Sequence, residues 1–279
     1  MFPSHMAKDH HVMEVLGLSR VVVENGAVVD VSEPRIEFCP LFKNHRGIER
    51  LTKESVRQNV EFRIRDFGIF TERRQMRMKD FLSFGVSELM SMCVSQGIMD
   101  CSVCVCDGSG TAVVDDPELI QGIGGRLSGL VETSPIQSVL AEIGRDRVLD
   151  PETARIDQVA GVRKAWAMGY RKIGVTVVKG ADAEALRREF GDHVVLFAVH
   201  TSGVTEEEAE ALFAHCDIAT ACASKHMWAL GKRLGAMQVG TKVPVFAITE
   251  LGREICTVRL RQIGKEARSG PDCPARPLI

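Results

Sequence analysis

No apolar run in this 279-residue sequence approaches the ~18 to 20 residues that are needed to cross a bilayer. The first residues are polar and rich in histidine, and they lack the apolar core of a secretion signal. The net charge is only −2, which argues against general binding to nucleic acid. We therefore expect a cytoplasmic protein that acts on a small-molecule substrate, with neither a membrane nor a nucleic acid as its partner.

The nine cysteines lack the features of a disulfide framework, because their number is odd and no secretion signal accompanies them. Cys101, Cys104 and Cys106 form a C-x2-C-x-C pattern, which invites a metal-binding interpretation. On a strand, however, Cys104 and Cys106 point to one face and Cys101 points to the other. No second C-x-x-C pair or histidine cluster completes a tetrahedral set, so we expect no metal.

Charge is distributed unevenly along the chain. Residues 43–79 hold eleven Lys/Arg and five Asp/Glu, a balance of +6, whereas residues 180–217 hold two Arg and nine Asp/Glu, a balance of −7. Two solvated helical faces would explain this pattern. Alternatively, the two faces meet across a domain or subunit boundary, as in the homo-oligomer that we expect, or the basic face holds an anionic ligand.

Strands and helices alternate regularly in the second half of the chain. From residue 157 onward, helical segments separate near-continuous apolar strands such as residues 194–199, and runs of this kind suit a parallel sheet that is covered on both faces. The pattern predicts an α/β fold with a Rossmann-like, doubly wound, mainly parallel sheet. We predict a smaller α/β N-terminal region over 11–97, a Rossmann-like ligand-binding domain over 98–264 and a disordered tail over 265–279.

Two glycine-rich segments stand near the start of the predicted Rossmann-like domain, at residues 107–111 and 122–129. Such loops let backbone N–H groups approach a phosphate or carboxylate, and an arginine adds a bidentate guanidinium. Leu127 stands where the dinucleotide fingerprint needs its third glycine, which argues against NAD. Glycine in turns is also often purely structural. The residues that we predict to hold a cofactor here are Asp107, Gly108, Gly110, Thr111, Gly122, Gly124, Gly125, Arg126 and Ser128.

Polar or reactive residues follow the predicted C-terminal strands, at the edge where parallel sheets bind ligands. His200 is a candidate general base, or a histidine satisfied by a backbone partner. Cys222 and Lys225 lie where a helix N-terminus would lower a thiol pKa, but a buried, inert cysteine is the preferred interpretation of Cys222. We predict that these residues face one cleft with the glycine-rich segments. The catalytic candidates are His200 and Lys225, and the additional ligand-binding candidates are Thr201, Cys222 and Ser224.

Several blocks of sequence spread over residues 11–262 form a recognisable set. They are Phe38-Cys39-Pro40-Leu41-Phe42, His45-Arg46-Gly47-Ile48-Glu49, Met78 to Glu88, Asp107 to Thr111, Gln121 to Arg126, Asp150 to Asp157, Phe197 to Thr201 and Thr220 to Lys225. Together they resemble methanogenesis marker protein 8, a family of unknown function found in methanogenic archaea. The resemblance implies an anaerobic archaeal cytoplasm and a role tied to methane metabolism, in cofactor synthesis or enzyme maturation.

The chain is also similar to the S-adenosylmethionine-dependent pyridinol methyltransferase of iron-guanylylpyridinol cofactor biosynthesis, from which no catalytic residue is carried over. The resulting expectation is a nucleotide- or S-adenosylmethionine-binding enzyme of methanogenic cofactor biosynthesis, such as a methyltransferase, with S-adenosylmethionine ahead of NAD as cofactor. The alternative is a non-catalytic assembly or maturation factor for a methanogenic enzyme, for which residues 43–79 would form the docking surface.

Overall fold

The structure is a computed structural model that describes residues 9–15, 17–79, 84–240, 243–267 and 275–279. Within these residues the chain forms a mixed α/β fold with two sheets. The elements follow one another as β1 (His10–Val15), β2 (Ser19–Glu24), β3 (Ala27–Val31), α1 (Pro40–Arg46), α2 (Lys53–Phe67), α3 (Val86–Ser95), β4 (Cys101–Cys106), β5 (Gly110–Val114), α4 (Pro117–Gly124), β6 (Leu130–Glu132), α5 (Gln137–Ile143), α6 (Gln158–Ala167), β7 (Ile173–Val177), α7 (Gly180–Phe190), β8 (Val194–Ala198), α8 (Glu206–His215), β9 (Ile218–Thr220), α9 (Lys225–Arg233), β10 (Met237–Val239), β11 (Val245–Ala247) and α10 (Glu250–Gln262).

The smaller sheet is antiparallel throughout and has the strand order β3-β2-β1-β6. Asn25 and Gly26 connect β2 to β3 with left-handed backbone angles (φ 51° and 72°), as a two-residue hairpin turn requires. Helix α2 packs against this sheet. The side chain of Thr52 caps the helix, and Gly68 ends it with a φ of 67°. Strand β6 directly follows the second glycine-rich segment, so the end of that segment is anchored beside β1.

The larger sheet is mixed, with the strand order β10-β11-β9-β8-β7-β4-β5. Strands β4, β7, β8 and β9 are parallel, whereas β5, β10 and β11 pair antiparallel at the two edges. A mainly parallel, doubly wound sheet is therefore not confirmed. The reason is local, because the three residues between β4 and β5 and the five between β10 and β11 are too few for a crossover helix, so each of these two pairs is antiparallel.

Helices cover both faces of the larger sheet because the side chains of its central strands alternate. On β8, Val195 and Phe197 belong to a core with α3, α4, α5 and α10, whereas Leu196 and Ala198 belong to a core with α6 to α9. The same alternation separates the thiols of β4. Cys101 lies in the second core, and the other two cysteines of the strand, at 104 and 106, lie in the first.

A buried ion pair ties the segment after α2 to the larger sheet. Arg74 and Asp107 have fully buried side chains, with 3.0 Å between Arg74 Nε and Asp107 Oδ1. The backbone N–H of Phe70 donates to the same carboxylate at 2.8 Å, and Arg74 also donates to the carbonyl of Gly122. Buried charges are tolerated where they are paired and hydrogen-bonded, so this network fixes the position of α2 relative to β4 and α4.

The last residues of the chain lie against the fold. Arg276 exchanges backbone hydrogen bonds with Phe38, and Ile279 does so with Ala223 and Lys225. Residues 275–279 thus contact the segment between β9 and α9, although the sequence predicts a tail there. Among the described residues, none of the helices has the length and apolar character that a membrane crossing would need.

Candidate functional site

A cleft of about 420 Å³ opens at the carboxyl ends of the parallel strands. One wall is the edge of the larger sheet, where β4, β7, β8 and β9 end. The opposite wall consists of α1, α2 and the chain between α4 and β6. The sheet-edge wall is lined by Cys104, Val105, Thr176, Val178, Val199, His200, Thr201, Ser202, Thr220 and Cys222, and the opposite wall by Pro40, Leu41, Phe42, His45, Arg46, Asn59, Arg63, Phe67 and residues 124–130.

His200 follows β8 and lies in this cleft with a left-handed backbone (φ 55°). Such a conformation is uncommon outside glycine and costs about 1–3 kcal/mol, so the surrounding structure must hold it. The side chain contacts Glu14 of β1, with 2.7 Å between Nε2 and Oε1. This hydrogen bond lowers the pKa of the Glu14 carboxyl group. The ionised carboxylate can only accept, so Nε2 carries a hydrogen, and in the neutral form of the imidazole the lone pair is then on Nδ1.

Gly129 makes the His200–Glu14 contact sterically possible. Its φ is 67°, and a Cβ atom there would lie 2.0 Å from the Glu14 carbonyl oxygen and 2.8 Å from Cε1 of His200. The Glu14 N–H donates to the Gly129 carbonyl at 2.7 Å. A side chain at this position would force β1 away from the edge of the larger sheet. The second glycine-rich segment therefore joins the two halves of the histidine–carboxylate pair.

Besides His200, six of the residues predicted from the sequence line the cleft: Gly124, Gly125, Arg126, Ser128, Thr201 and Cys222. Thr201 donates its hydroxyl hydrogen to the carbonyl of Thr220 at 2.6 Å. Burial raises the pKa of the Cys222 thiol to about 12. Desolvation disfavours the thiolate, so Cys222 is a neutral thiol at physiological pH, as the preferred interpretation of a buried, inert cysteine expects.

The first glycine-rich segment points away from the cleft. Asp107 is paired with Arg74, and Thr111 is fully buried and accepts a hydrogen bond from the N–H of Asp157. A Cβ atom on Gly108 would meet Ile136 at 2.6 Å, and one on Gly110 would meet the Ala154 carbonyl oxygen at 2.1 Å. These residues hold the β4–β5 turn in the core and are not among the residues that line the cleft.

Three further predicted residues also lie outside the cleft lining. Gly122 is a helical residue of α4, and a Cβ atom there would overlap the carbonyl oxygen of Met76. Ser224 is the N-cap of α9, where its hydroxyl accepts from the N–H of Met227 at 3.3 Å. Lys225 is exposed, and its backbone N–H donates to Ile279. A helix start explains the positions of both Ser224 and Lys225.

The cleft also contains residues that sequence reasoning did not single out. Glu14 carries no sequence signal, since it becomes relevant only when β1 meets the end of β8. Arg46 stands inside the conspicuous block that runs from 45 to 49, and Asn59 and Arg63 share one face of α2 at a spacing of four residues. The net positive charge of residues 43–79 indicates that basic side chains are important in this segment. It does not indicate which of the eleven basic residues line the cleft.

Metal-ligating side chains do not converge in the part of the chain that the structure describes, where no group of three or more His, Cys, Asp or Glu could hold an ion. Burial raises the pKa of the Cys104 thiol to about 12 and that of Cys101 still higher. Both are therefore neutral thiols packed in opposite cores. The polar groups that could hold an organic ligand are concentrated on the cleft walls instead.

Comparison with known proteins places the chain in a family. Residues 11–261 match DUF2099, described as an uncharacterized protein conserved in archaea, and the chain belongs to this family. An uncharacterized protein of Methanocaldococcus jannaschii is 42% identical over 282 residues, which cover 97% of this chain and 100% of the relative. Neither description mentions methanogenesis marker protein 8 or a methyltransferase, so those resemblances bear only on the proposal below.

A distant likeness to a solved structure adds nothing to this assignment. A chain of the F420-reducing NiFe hydrogenase complex from Methanosarcina barkeri aligns with 70% of this chain and 77% of its own length, at 16% identity and a TM-score of 0.37. Similarity at that level carries no argument about fold or function.

Proposed function

We propose that this protein is an enzyme that binds a nucleotide-like cofactor and a small-molecule substrate in the cleft. The observation that carries the proposal is the His200–Glu14 pair, which stands at the carboxyl end of a parallel strand. In open α/β sheets, ligands bind at that edge. The volume of about 420 Å³ falls within the range of about 300–1,000 Å³ typical of small-molecule sites.

Glu14 and His200 would act together as a general base. The carboxylate accepts the Nε2 hydrogen and fixes the tautomer, which leaves the Nδ1 lone pair to take a proton from a substrate. A carboxylate that orients a histidine in this way also stabilises the imidazolium that forms after the transfer. Gly129 keeps the two groups within hydrogen-bonding distance. Lys225 has no part in this scheme, because its side chain is exposed and outside the cleft.

The resemblance to methanogenesis marker protein 8 sets the context of the proposal, which is cofactor biosynthesis in a methanogenic archaeon. S-Adenosylmethionine is the first cofactor to consider, in line with the similarity to the pyridinol methyltransferase. NAD is second, since Leu127 occupies the position of the third fingerprint glycine. The predicted cofactor-binding residues that remain available, because they line the cleft, are Gly124, Gly125, Arg126, Ser128, Thr201 and Cys222.

A thermal-shift panel with S-adenosylmethionine, S-adenosylhomocysteine, NAD and ATP tests the proposal. A ligand at a hundredfold excess over Kd stabilises the native state by about 2.7 kcal/mol, which raises Tm by a few degrees. We expect this shift for an adenosyl ligand in the native protein and its loss in Ser128→Trp, which would fill the cleft. Arg188→Trp, on the exposed face of α7, is the matched control and should keep the shift.

The panel also separates the proposed enzyme from a non-catalytic assembly factor. If none of the four ligands moves Tm and mass spectrometry finds no small molecule bound to the purified protein, the enzyme proposal fails and an assembly role is favoured. If a ligand binds equally well to Ser128→Trp, it binds outside the cleft and the proposed site is wrong.

A further inference from the structure

Three arginines meet at one end of the cleft, on the wall opposite the sheet edge. Arg46 comes from the end of α1, Arg63 from α2 and Arg126 from the chain after α4, and all three line the cleft. The Arg46 guanidinium lies 3.7 Å from the ring centroid of Phe62, and that of Arg126 lies 3.5 Å from the ring centroid of Phe67. Stacking on an aromatic face holds a guanidinium plane in a defined orientation.

The positive charges of Arg46, Arg63 and Arg126, here called the arginine cluster, repel one another. Burial, together with the charges of Arg46 and Arg126, lowers the pKa of Arg63 to about 10. The Arg63 side chain does donate to the backbone carbonyl of Arg126 at 3.3 Å, but a carbonyl carries no full charge. Like charges collected in a cleft raise the free energy of the empty site, and a bound anion would remove that cost.

Other basic residues of the same segment are neutralised by carboxylates. Ion pairs join Lys43 to Glu49, Arg57 to Glu61, Arg65 to Asp66, Arg74 to Asp107 and Arg77 to both Asp116 and Glu142. Among the described residues, neither Arg46 nor Arg63 has a carboxylate within ion-pair distance. Arg46 and Arg63, the two arginines of the segment that line the cleft, thus lack the carboxylate partner that these other basic residues have.

A buried amide gives a second, independent sign of a ligand. Asn59 is only 5% exposed and lines the cleft one helical turn before Arg63, on the same face of α2. Its Oδ1 atom has no hydrogen-bond partner among the residues that the structure describes. An unsatisfied buried acceptor destabilises the fold, so such atoms usually have a hydrogen-bond donor beside them. A hydroxyl or N–H group of a bound molecule would satisfy it.

We propose that the arginine cluster and Asn59 bind the phosphate or pyrophosphate group of a phosphorylated small molecule, with a ligand hydroxyl donating to Asn59. This inference rests on the proposed function, because it names the ligand class of the same cleft. Guanidinium groups match phosphate oxygens in bidentate geometry. A lone carboxylate, such as that of S-adenosylmethionine, carries a single negative charge and would leave Arg46 or Arg63 without a counter-charge, whereas a pyrophosphate carries enough negative charge to pair with both.

Titration calorimetry with inorganic pyrophosphate as the probe tests the inference. We expect saturable binding to the native protein and at least a tenfold weaker Kd for Arg63→Gln, which corresponds to about 1.4 kcal/mol. Arg65→Gln is the matched control, because Arg65 lies two residues further along α2, is exposed and is paired with Asp66. Its Kd should stay within about twofold of the native value, as a screened surface charge contributes little.

Asn59→Asp keeps the test falsifiable if Arg63→Gln unfolds. The change preserves side-chain size and places a carboxylate beside Arg63, where it would pair with the guanidinium and exclude the anion. We expect a weaker Kd for pyrophosphate with an unchanged or higher Tm. Equal pyrophosphate affinity in the native protein, Asn59→Asp and Arg63→Gln would overturn the assignment, and so would equal affinity of the native protein for citrate and pyrophosphate.

S-Adenosylmethionine, run in the same calorimeter, separates this inference from the proposed function. If S-adenosylmethionine binds and pyrophosphate does not, the phosphate assignment fails while the enzyme proposal stands. If pyrophosphate binds and is displaced by ATP but not by S-adenosylmethionine, the arginine cluster is a phosphate site. The proposal that S-adenosylmethionine is the cofactor of this cleft is then wrong.

Discussion

Two glycine-rich segments, at residues 107–111 and 122–129, look alike in the sequence and differ completely in the structure. In the first, a Cβ atom on Gly110 would lie 2.1 Å from the backbone carbonyl oxygen of Ala154, and Asp107 is fully buried against Arg74. In the second, residues 124–130 line the cleft, and Ser128 is exposed. The first segment is glycine-rich because neighbouring core atoms leave no room for a side chain. Of the two segments, only the second faces space that a ligand could occupy.

The second segment is itself divided. Gly122 and Gly124 belong to α4, and a Cβ atom on Gly124 would lie 2.7 Å from Cβ of Ser87 at the start of α3. Gly124 does not have a left-handed backbone, so its close approach to Ser87, and not its φ, is what favours glycine there. Only Gly129 combines a positive φ with a close approach to His200. Glycine density therefore does not identify a ligand loop, whereas the atoms that surround each glycine do.

The largest expected effect is the loss of stability in Gly110→Ala. The left-handed backbone costs alanine about 1–2 kcal/mol, and displacement of the Ala154 backbone raises the total to about 4 kcal/mol or more. Gly97→Ala is the matched control, because Gly97 has a similar φ of 69° with nothing within 4 Å of a Cβ atom. Chemical denaturation should show a loss of only about 1 kcal/mol for Gly97→Ala. Equal losses of unfolding free energy in Gly110→Ala and Gly97→Ala would mean that the close packing around Gly110 adds nothing to the cost of a left-handed alanine.

Asp107→Asn should lose about 3 kcal/mol of unfolding free energy. The amide can still accept from the Phe70 N–H, but the Arg74 guanidinium is left buried without a counter-charge, which is costly. Asp115→Asn makes the same chemical change in the half-exposed pair with Arg147 and should cost less than about 1 kcal/mol. Urea unfolding of both variants measures the difference. A loss of less than about 1 kcal/mol in Asp107→Asn would show that Asp107 is not a structural residue.

Patterns local to the chain predicted much of the fold. The Asn25-Gly26 pair predicts a hairpin turn, and Thr52 and Gly68 are typical of the two ends of a helix. The structure has this turn and these helix ends, because short-range hydrogen bonds and backbone angles determine them. The direction of the last strand was not predictable in this way. An apolar strand pattern looks the same whichever way the strand runs. The direction of β11 depends on the short connection from β10, which makes β11 antiparallel to β10, and β11 is also antiparallel to β9.

The candidate site was predictable on one wall only. His200 and Thr201 follow an apolar strand, so the general rule about strand ends indicated them. Glu14 and Asn59 reach the cleft through tertiary packing of the smaller sheet and α2, which no pattern along the sequence encodes. The helix α4 is not predicted from the sequence, because its two glycines obscure the helical spacing of its apolar residues. Asp116 and Pro117 at its start are the one clear sequence signal for a helix there.

Glu14→Gln should have a smaller, pH-dependent effect at the cleft end of the second segment. The hydrogen bond from His200 lowers the pKa of Glu14 below its usual value of 4.5, so the ionised form stabilises the folded state. That stabilisation is fully present above pH 4.5 and is lost as the pH falls through the folded-state pKa. Since the carboxylate is 38% exposed, solvent screening limits the effect to below about 1 kcal/mol.

Urea unfolding of the native protein and Glu14→Gln over a pH series checks this expectation. The difference in unfolding free energy should be constant above pH 4.5 and should shrink at lower pH. A difference that stays constant across the whole series would show that the hydrogen bond to His200 does not stabilise the ionised carboxylate.

The smallest expected effect is that of Ser128→Ala, which sharpens the contrast with Ser109→Ala. Ser109 is fully buried and its hydroxyl donates to the Gly110 carbonyl, so its removal should cost about 1 kcal/mol. Ser128 is exposed on the cleft wall, so its removal should change the unfolding free energy by less than about 0.5 kcal/mol. Chemical denaturation measures both variants, and pyrophosphate titration should show a weaker Kd only for Ser128→Ala if the second segment contacts the ligand. The opposite pattern, with Ser128→Ala less stable than Ser109→Ala and unchanged in binding, would mean that the second segment is a packing element like the first.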